Sequence, residues 1–368
     1  MPRHRVAPAR QPALPTDFAR RVQRWQRTHG RHDLPSQGTH DPYRIWLSEV
    51  MLQQTQVTTV IAYYLRFLER FPDVQALADA PLDDVLGAWS GLGYYSRARN
   101  LHRCAQVVVT AHGGRFPADS ATLQGLPGIG RSTAAAIAAF GHGERAAILD
   151  GNVKRVLSRA LGFEGDLGSA TETRRLWDLA ERLLPPDDVA VYTQGLMDLG
   201  ATVCLTRAPR CAACPLADDC VASRSGRPQD FPVKTRRLRR SRRHHALLWL
   251  SWRDQVWLVR RPDRGVWAGL WSLPEFDSLE ALQQALAGWP GSGSAQPAIE
   301  HTLTHFDWRL DPLLWQLPHR LSAARRDGLV AALASTAGEV RWVGPAGLAA
   351  LGLPAPIRRL LQPAAVNR

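Results

Sequence analysis

The sequence predicts a mostly α N-terminal domain followed by a smaller α+β C-terminal domain. The chain has 368 residues, which favours two domains over one. A polar, basic stretch at residues 224–243 reads as a linker, and nine of the 13 Trp residues follow residue 244. The predicted boundaries are a basic tail at 1–15, a helical domain at 16–223, this linker, and the second domain at 244–368.

Residues 16 to about 203 carry the spacing and capping signals of helices. Asp41-Pro42 supplies an N-cap and an N1 proline, and apolar Ile45 and Trp46 follow within the next turn. A second helix is predicted from Arg131 through an alanine-rich stretch, and a third after Asp150. A short helix near 120–124 and a further one at 189–199 complete the predicted domain.

The C-terminal domain shows the alternation of strands. Residues 246–252 and 255–260 read as two strands joined by the Arg253-Asp254 turn, and Phe306, Trp308 and Leu310 alternate with polar residues. An α+β domain with aromatic strands is therefore expected.

Positive charge is concentrated at two places. The net charge is +13, and only Lys154 and Lys234 among the basic residues are lysines. Residues 1–40 carry 8 basic and 2 acidic groups, and residues 224–243 carry 9 and 1. This favours a polyanionic partner, although a solvated linker in an organism that prefers arginine codons remains an alternative.

The N-terminus has basic residues but no apolar core of a signal peptide, and no apolar run is long enough to span a bilayer. These features predict a cytoplasmic protein without membrane contact, while the Arg-rich start leaves an organellar address open.

Four of the five cysteines form a dense cluster. Cys204, Cys211, Cys214 and Cys220 are spaced C-x6-C-x2-C-x5-C. Disulfides are not expected inside the cell, so the cluster indicates a metal site. The irregular all-thiolate spacing suits an iron–sulfur cluster, with zinc or free thiols as alternatives. Cys104 stands apart and is expected to be a buried small residue.

The stretch from Leu126 to Gly130 lies between two predicted helices. Gly128 and Gly130 allow a tight turn and leave backbone N–H groups at a helix N-terminus, where a phosphate can bind. Taken alone, this pattern is also compatible with an ordinary helix–helix turn.

The combination of motifs resembles the helix-hairpin-helix DNA glycosylases, and within them the MutY-type adenine DNA glycosylases. The matching stretches are WLSEVMLQQTQV (46–57), GLGYYSRARN (91–100), LPGIGRSTA (126–134), ILDGNVKRVLSR (148–159), MDLGATVC (197–204) and the four cysteines. The resemblance implies a four-iron four-sulfur cluster held by these cysteines and a Nudix-like C-terminal domain. It also implies a monomer that acts on double-stranded DNA carrying adenine opposite 8-oxoguanine or guanine.

Two carboxylates are the predicted catalytic residues. Cleavage of an N-glycosidic bond needs a proton on the leaving base and negative charge near the developing sugar cation. Glu49 lies mid-helix beside Trp46 and Val50, where desolvation would raise its pKa; the resemblance implies that it protonates adenine N7. The resemblance assigns Asp150 to the sugar cation, and a role as a helix N-cap would also explain this residue.

Further residues follow from the resemblance. Endonuclease III-like enzymes carry a nucleophilic lysine where this chain has Ser132, so a monofunctional glycosylase is expected, with any weak strand cleavage through Lys154. Base flipping requires a residue that fills the vacated stack. The remaining candidates for substrate and DNA contacts are Gln54 and Tyr94 as inserting residues, Gly128, Gly130 and Ser132 in the hairpin, Gln194 near the adenine, and Asn152 near the sugar.

The chain departs from the family pattern at three places. Leu34-Pro35 is followed by Ser36 instead of tryptophan, which bears on the shape of the adenine pocket. Leu303-Thr304-His305 replaces a Phe-Ser-His loop, so Thr304 and His305 are the candidates for contacting 8-oxoguanine. The glutamate run of working Nudix hydrolases is missing after Pro274, so nucleotide hydrolysis is not expected.

Two other functions remain open from the sequence. One is a related iron–sulfur glycosylase for thymine or oxidised pyrimidines, and the other is a catalytically idle DNA-binding protein.

Overall fold

The computed structural model describes residues 15–235, 240–334 and 338–362. Helices dominate the first of these ranges: α1 (Phe18–His29), α2 (Pro42–Leu52), α3 (Val57–Arg70), α4 (Val74–Asp79), α5 (Leu82–Ala88), α6 (Ser96–His112), α7 (Ser120–Leu123), α8 (Arg131–His142), α9 (Gly151–Leu161), α10 (Ala170–Arg182), α11 (Val189–Asp198) and α12 (Val221–Arg224). A π-helical turn at Leu199–Val203 continues α11, and short 3₁₀ turns lie at Cys211–Ala213 and Pro228–Asp230.

The later ranges combine strands with four helices. In chain order they are β1 (Ser241–Trp252), β2 (Gln255–Arg260), β3 (Trp271–Ser272), β4 (Glu275–Phe276), α13 (Leu279–Ala285), β5 (Ser292–Ala295), β6 (Ile299–Thr302), β7 (Phe306–Gln316), α14 (Ala323–Ala334), β8 (Val340–Val343), α15 (Pro345–Ala350) and α16 (Ala355–Leu361).

These strands form one mixed sheet. Its main path is β3-β2-β1-β7-β5, with β4 on β1, β6 on β7 and β8 on β2. The long strands β1 and β7 run parallel, with Ser241 opposite Phe306. The other pairs are antiparallel, and the predicted mostly α and α+β fold classes are confirmed.

The predicted helix starts are found at the residues that the capping signals indicated. The carboxylate of Asp41 accepts a hydrogen bond from the Tyr43 N–H at 2.9 Å, and Pro42 is the first residue of α2. Asp150 caps α9 in the same manner. Short polar side chains satisfy N–H groups that a helix leaves without partners, which explains why these boundaries could be predicted.

The predicted linker at 224–243 is shorter in the structure. β1 begins at Ser241 and includes Arg242 and Arg243, which pair with Asp307 and Trp308 of β7. Backbone pairing with a neighbouring strand decides this boundary, and the polar, exposed side chains gave no signal for it. Linker residues 236–239 and tail residues 1–14 lie outside the described residues.

The chain divides into two compact units, each built from two separate segments. One unit contains residues 1–54 and 107–237, and the other contains 55–106 and 238–368. The first unit has an apolar core formed by residues of α1, α8, α9, α10 and α11. Within the described residues, no helix is long and apolar enough to cross a membrane.

The second unit groups residues 55–106 with the C-terminal sheet, a grouping that the predicted boundaries do not contain. The carboxylate of Asp83 on α5 accepts hydrogen bonds from Arg260 at 3.0 Å and from the Trp271 indole at 3.3 Å. The Ser90 hydroxyl donates to the Leu353 carbonyl at 3.0 Å. These contacts join segments more than 170 residues apart, which is why sequence order alone does not reveal them.

Candidate active site and metal centre

Glu49 lies in the last two turns of α2 in a largely apolar environment. Its neighbours in the helix include Trp46 at 1% exposure and Val50 at 5%. Burial, together with the charge of Asp150, raises the pKa of the Glu49 carboxyl to about 7. A carboxyl group with this pKa keeps its proton at neutral pH far more often than an exposed one, so it can act as a general acid.

Asp150 is held at the N-terminus of α9. Its Oδ1 accepts a hydrogen bond from the Val153 N–H at 2.7 Å. The preceding residue, Leu149, donates its N–H to the hydroxyl of Ser132 at 2.9 Å. The predicted capping role is therefore confirmed, and the charge of Asp150 contributes, after burial, to the raised pKa of Glu49.

The hairpin that precedes α8 has the backbone geometry expected from its glycines. Gly128 adopts a φ of 76°, in the left-handed region that favours glycine. Gly130 is the extended N-cap residue of α8, and both glycines are exposed. The first N–H groups of α8 thus follow a turn whose two exposed glycines carry no side chain, an arrangement suited to a phosphate.

Asn152 and Gln194 both lie in polar networks. The Asn152 Oδ1 accepts a hydrogen bond from Arg155 at 2.8 Å. The Gln194 amide donates to Asp198 at 2.9 Å, and the fully buried Asp198 also pairs with Arg31. These contacts fix the orientation of both amides, while the proposed contacts to the adenine and sugar stay predictions.

The two predicted inserting residues share an unusual backbone conformation. Gln54 has a φ of 57° and Tyr94 a φ of 47°, although neither is glycine. Both side chains are exposed, and Tyr94 is 48% accessible despite its aromatic ring. Left-handed backbone at a residue with a Cβ atom costs on the order of 1 kcal/mol and persists only where the surroundings enforce it, a situation that is common at functional sites.

Arg97 holds the turn that contains Tyr94. Its guanidinium donates to the carbonyls of Leu92 and Gly93 at 3.1 Å each, and the guanidinium carbon lies 5.6 Å from the centre of the Tyr94 ring. Arg97 itself is only 8% exposed. Arg97 is not among the predicted site residues, because an arginine in a helix gives no sign in the sequence that it is buried.

Thr304 and His305 form an exposed turn between β6 and β7. The hydroxyl of Tyr94 lies 3.2 Å from the Thr304 hydroxyl, within the same compact unit. The His305 carbonyl accepts from the Ser241 N–H at 3.3 Å, and its imidazole is exposed. The structure therefore brings Tyr94 and Thr304 together, two residues that the sequence places 210 positions apart.

The four clustered cysteines line one pocket. This pocket is lined by Cys204, Cys211, Cys214 and Cys220, together with Arg159 and several small or apolar residues. Among the described residues, no three His, Cys, Asp or Glu side chains are arranged to hold a single metal ion. Four partly buried thiols around a shared space fit a multi-atom cluster, whose iron atoms each take one thiolate.

Cys104 has a different environment. It is fully buried on α6, and burial raises the pKa of its thiol to about 12. This confirms the prediction of a buried small residue.

Both domains match known families. The sequence profile of the HhH-GPD superfamily of base excision DNA repair proteins matches residues 47–182. The NUDIX domain profile matches residues 245–363. The helix that follows β4, α13, has Glu280 as the acidic residue of its first turn. That the protein does not hydrolyse nucleotides stays a prediction.

Similar solved structures cover the first half of the chain. A structure of a thermostable thymine-DNA glycosylase shares 29% identity with a TM-score of 0.50, covering 56% of this chain and 95% of its own. A trapped endonuclease III–DNA covalent intermediate shares 22% identity with a TM-score of 0.50, over 58% of this chain and 99% of its own. The latter shows the fold alone.

Two adenine DNA glycosylases are similar to this chain over most of its length. The adenine DNA glycosylase of Buchnera aphidicola subsp. Acyrthosiphon pisum is 32% identical over 348 residues, which are 94% of this chain and 97% of that protein. The human adenine DNA glycosylase is 36% identical over 72% of this chain and 59% of its own length. The chain therefore belongs to the adenine DNA glycosylase family.

Proposed function

We propose that this protein removes adenine that is paired with 8-oxoguanine or guanine in duplex DNA, by base flipping and hydrolysis of the N-glycosidic bond. The observation that carries the proposal is the raised pKa of Glu49, to which burial and the charge of Asp150 both contribute. The Glu49 carboxyl has a pKa raised to about 7, and Asp150 accepts a backbone N–H at a helix N-terminus. Two carboxyl groups in contrasting environments are typical of an acid paired with a charge-stabilising carboxylate.

The chemistry follows from these environments. The protonated Glu49 donates to N7 of the extruded adenine and makes the base a better leaving group. The ionised Asp150 stabilises the positive charge that develops on the sugar, and the N-terminus of α9 keeps its carboxylate in place. Water then completes the hydrolysis, so the strand is left intact at an abasic site.

The hairpin supports hydrolysis without strand cleavage. A Schiff base with the sugar requires an amine. At the hairpin position of the endonuclease III lysine this chain has Ser132, whose hydroxyl accepts the Leu149 N–H instead. Lys154 lies in the first turn of α9, close in sequence to Asp150, and is the amine that we expect to give any residual lyase activity.

Recognition of the lesion is assigned to exposed residues of the second unit and to Gln54. Tyr94 and Gln54 are exposed residues on strained turns, suited to entering a base stack. The Thr304 hydroxyl and the His305 imidazole are exposed and can each donate to the O8 atom of 8-oxoguanine or accept a hydrogen bond from its N7–H. Sequence-independent affinity for DNA is assigned to the exposed hairpin and to the basic 224–243 segment, which are suited to binding backbone phosphates.

A four-iron four-sulfur cluster is proposed for the cysteine pocket. Cys204, Cys211, Cys214 and Cys220 would each bind one iron, and the cluster when bound would tie the 204–220 loop into one body. The donor set of four thiols around one pocket, together with the irregular spacing of the cysteines, supports this choice over a single zinc ion. Iron and acid-labile sulfide analysis of the purified protein tests it.

Single-turnover reactions on four duplexes test the activity. The substrates carry A opposite 8-oxoguanine, A opposite G, T opposite G, or thymine glycol, with Glu49→Gln as the inactive control. We expect release of adenine from the first two duplexes only. Thymine release without adenine release would support the alternative function, a thymine or oxidised-pyrimidine glycosylase. The similarity to the thymine-DNA glycosylase structure is the observation that favours this alternative. Tight binding without base release would indicate an idle DNA-binding protein.

A further inference from the structure

Arg159 is a buried cation at the edge of the cysteine pocket. It lies in the last turn of α9 and is only 3% exposed. Its guanidinium donates to the sulfur of Cys204 at 3.4 Å and to the Leu205 carbonyl at 2.6 Å. Its own backbone carbonyl accepts a hydrogen bond from the Cys220 thiol at 3.4 Å. One residue thus contacts the first and the last cysteine of the cluster.

The other donors of Arg159 bind backbone carbonyls on both sides of the cysteine loop. The guanidinium donates to the Thr206 carbonyl at 3.2 Å, near the start of the cysteine loop. It also donates to the carbonyls of Pro228 at 2.8 Å and Phe231 at 3.2 Å, which follow the loop. Among the described residues, the hydrogen bonds of its guanidinium go to backbone carbonyls and to the Cys204 sulfur, and none goes to a carboxylate. Neutral carbonyls satisfy its N–H groups but do not neutralise its charge.

A buried cation of this kind needs a nearby anion. Removing an ionised group from water is costly unless an opposite charge compensates it. The nearest groups that can become anionic are the thiols that line the same pocket as Arg159. Four cysteine thiolates bound to a four-iron four-sulfur core leave the assembly with net negative charge, so the charges of Arg159 and of the ligated cluster are complementary.

We infer that Arg159 is a charge-compensating residue of the cysteine cluster, which keeps the bound cluster in place and raises its midpoint potential. The inference rests on the proposed iron–sulfur cofactor. Hydrogen bonds to cluster sulfurs and net charge near the cluster set its potential, and partners of metal ligands commonly alter metal retention about 10- to 100-fold. A guanidinium on the sulfur of Cys204 acts through both effects.

The test compares three variants of the full chain. Arg159→Gln removes the charge, while Arg159→Lys retains it with fewer donors. Arg145→Gln is the matched control, because Arg145 lies in the same unit and also donates to two backbone carbonyls, those of Leu184 and Pro185, away from the cysteines. For each protein the iron and sulfide content, the rate of cluster loss to an iron chelator and the midpoint potential are measured, with circular dichroism as the check on folding.

We expect Arg159→Gln to lose its cluster about tenfold faster than the wild type and to have a lower midpoint potential. Arg159→Lys should stay close to the wild type in potential, and Arg145→Gln should match the wild type in both measurements. Unchanged cluster loss and potential in Arg159→Gln would overturn the inference. Equal defects in the glutamine and lysine variants would also overturn it, since shape rather than charge would then be decisive. A wild-type protein without iron and sulfide would instead refute the proposed cofactor itself.

Discussion

The raised pKa of Glu49 predicts that base release slows as the pH rises from 6 to 8. The acid must be protonated when the glycosidic bond breaks, and its pKa is about 7. Its protonated fraction then falls from about nine-tenths at pH 6 to about one-tenth at pH 8. The single-turnover rate of adenine release should therefore fall about tenfold over this range, measured with saturating enzyme so that weaker DNA binding at higher pH does not contribute.

The same shift predicts a gain in stability when Glu49 is neutralised. A carboxyl group whose pKa rises on folding stabilises the fold at any pH below its pKa in the unfolded chain. This contribution is lost as the pH rises through its pKa in the folded protein. The rise of the Glu49 pKa from 4.5 to about 7 means that folding with this group ionised costs about 3 kcal/mol of stability. Glu49→Gln should therefore raise the free energy of unfolding by up to about 3 kcal/mol at pH 8 and by almost nothing at pH 4.

Urea unfolding of the wild type, Glu49→Gln and Glu164→Gln at both pH values measures this difference. Glu164 is an exposed glutamate of the same unit and serves as the matched control. A gain that is equal at pH 4 and pH 8, or a rate of adenine release that stays constant between pH 6 and 8, would refute the assignment of Glu49 as the buried acid.

Three further predictions concern other candidate residues. Asp150→Asn should keep the cap of α9 and its thermal stability but lose base release, whereas Asp150→Ala should also lose about 1 kcal/mol of stability; melting curves and single-turnover rates separate the two roles. Tyr94→Phe removes the hydroxyl contact with Thr304 and should reduce the preference for 8-oxoguanine over guanine by about fivefold. Tyr63→Phe, which loses a hydrogen bond to the Ser90 carbonyl in the same unit, is its control in the competition assay. Lys154→Ala should abolish residual strand cleavage on gels without slowing adenine release, and cleavage that survives would contradict this role.

Local signals explain which parts of the fold could be predicted from the sequence. Asp41 and Asp150 cap helices through contacts with residues two and three positions away, so the information lies within one turn. The alternation in β7 similarly reports a buried face along one strand. The start of β1 was missed because its exposed, basic first residues are placed by pairing with β7, more than 60 residues later.

The candidate site shows the same division. The motifs identified Glu49 and Asp150, and the position of Glu49 beside Trp46 and Val50 predicted that burial raises its pKa. The contribution of Asp150, which lies 101 positions later in the sequence, could not be predicted. The strained φ values of Gln54 and Tyr94 have no signal in the residue types, since both would be expected to avoid the left-handed region. Tertiary contacts impose these features, and a single sequence does not contain them explicitly.

Buried arginines connect these non-local features. Arg97 and Arg159 are both at most 8% exposed, and each directs its guanidinium to backbone carbonyls of a segment that the proposed function uses. A planar group with five donors can satisfy several carbonyls of an irregular turn at once, which a lysine cannot do. The preference for arginine over lysine in this chain therefore has a structural consequence as well as a chemical one. Irregular segments at the Tyr94 turn and the cysteine loop are fixed by buried guanidinium groups, and no amine stands at the hairpin position where strand cleavage would need one.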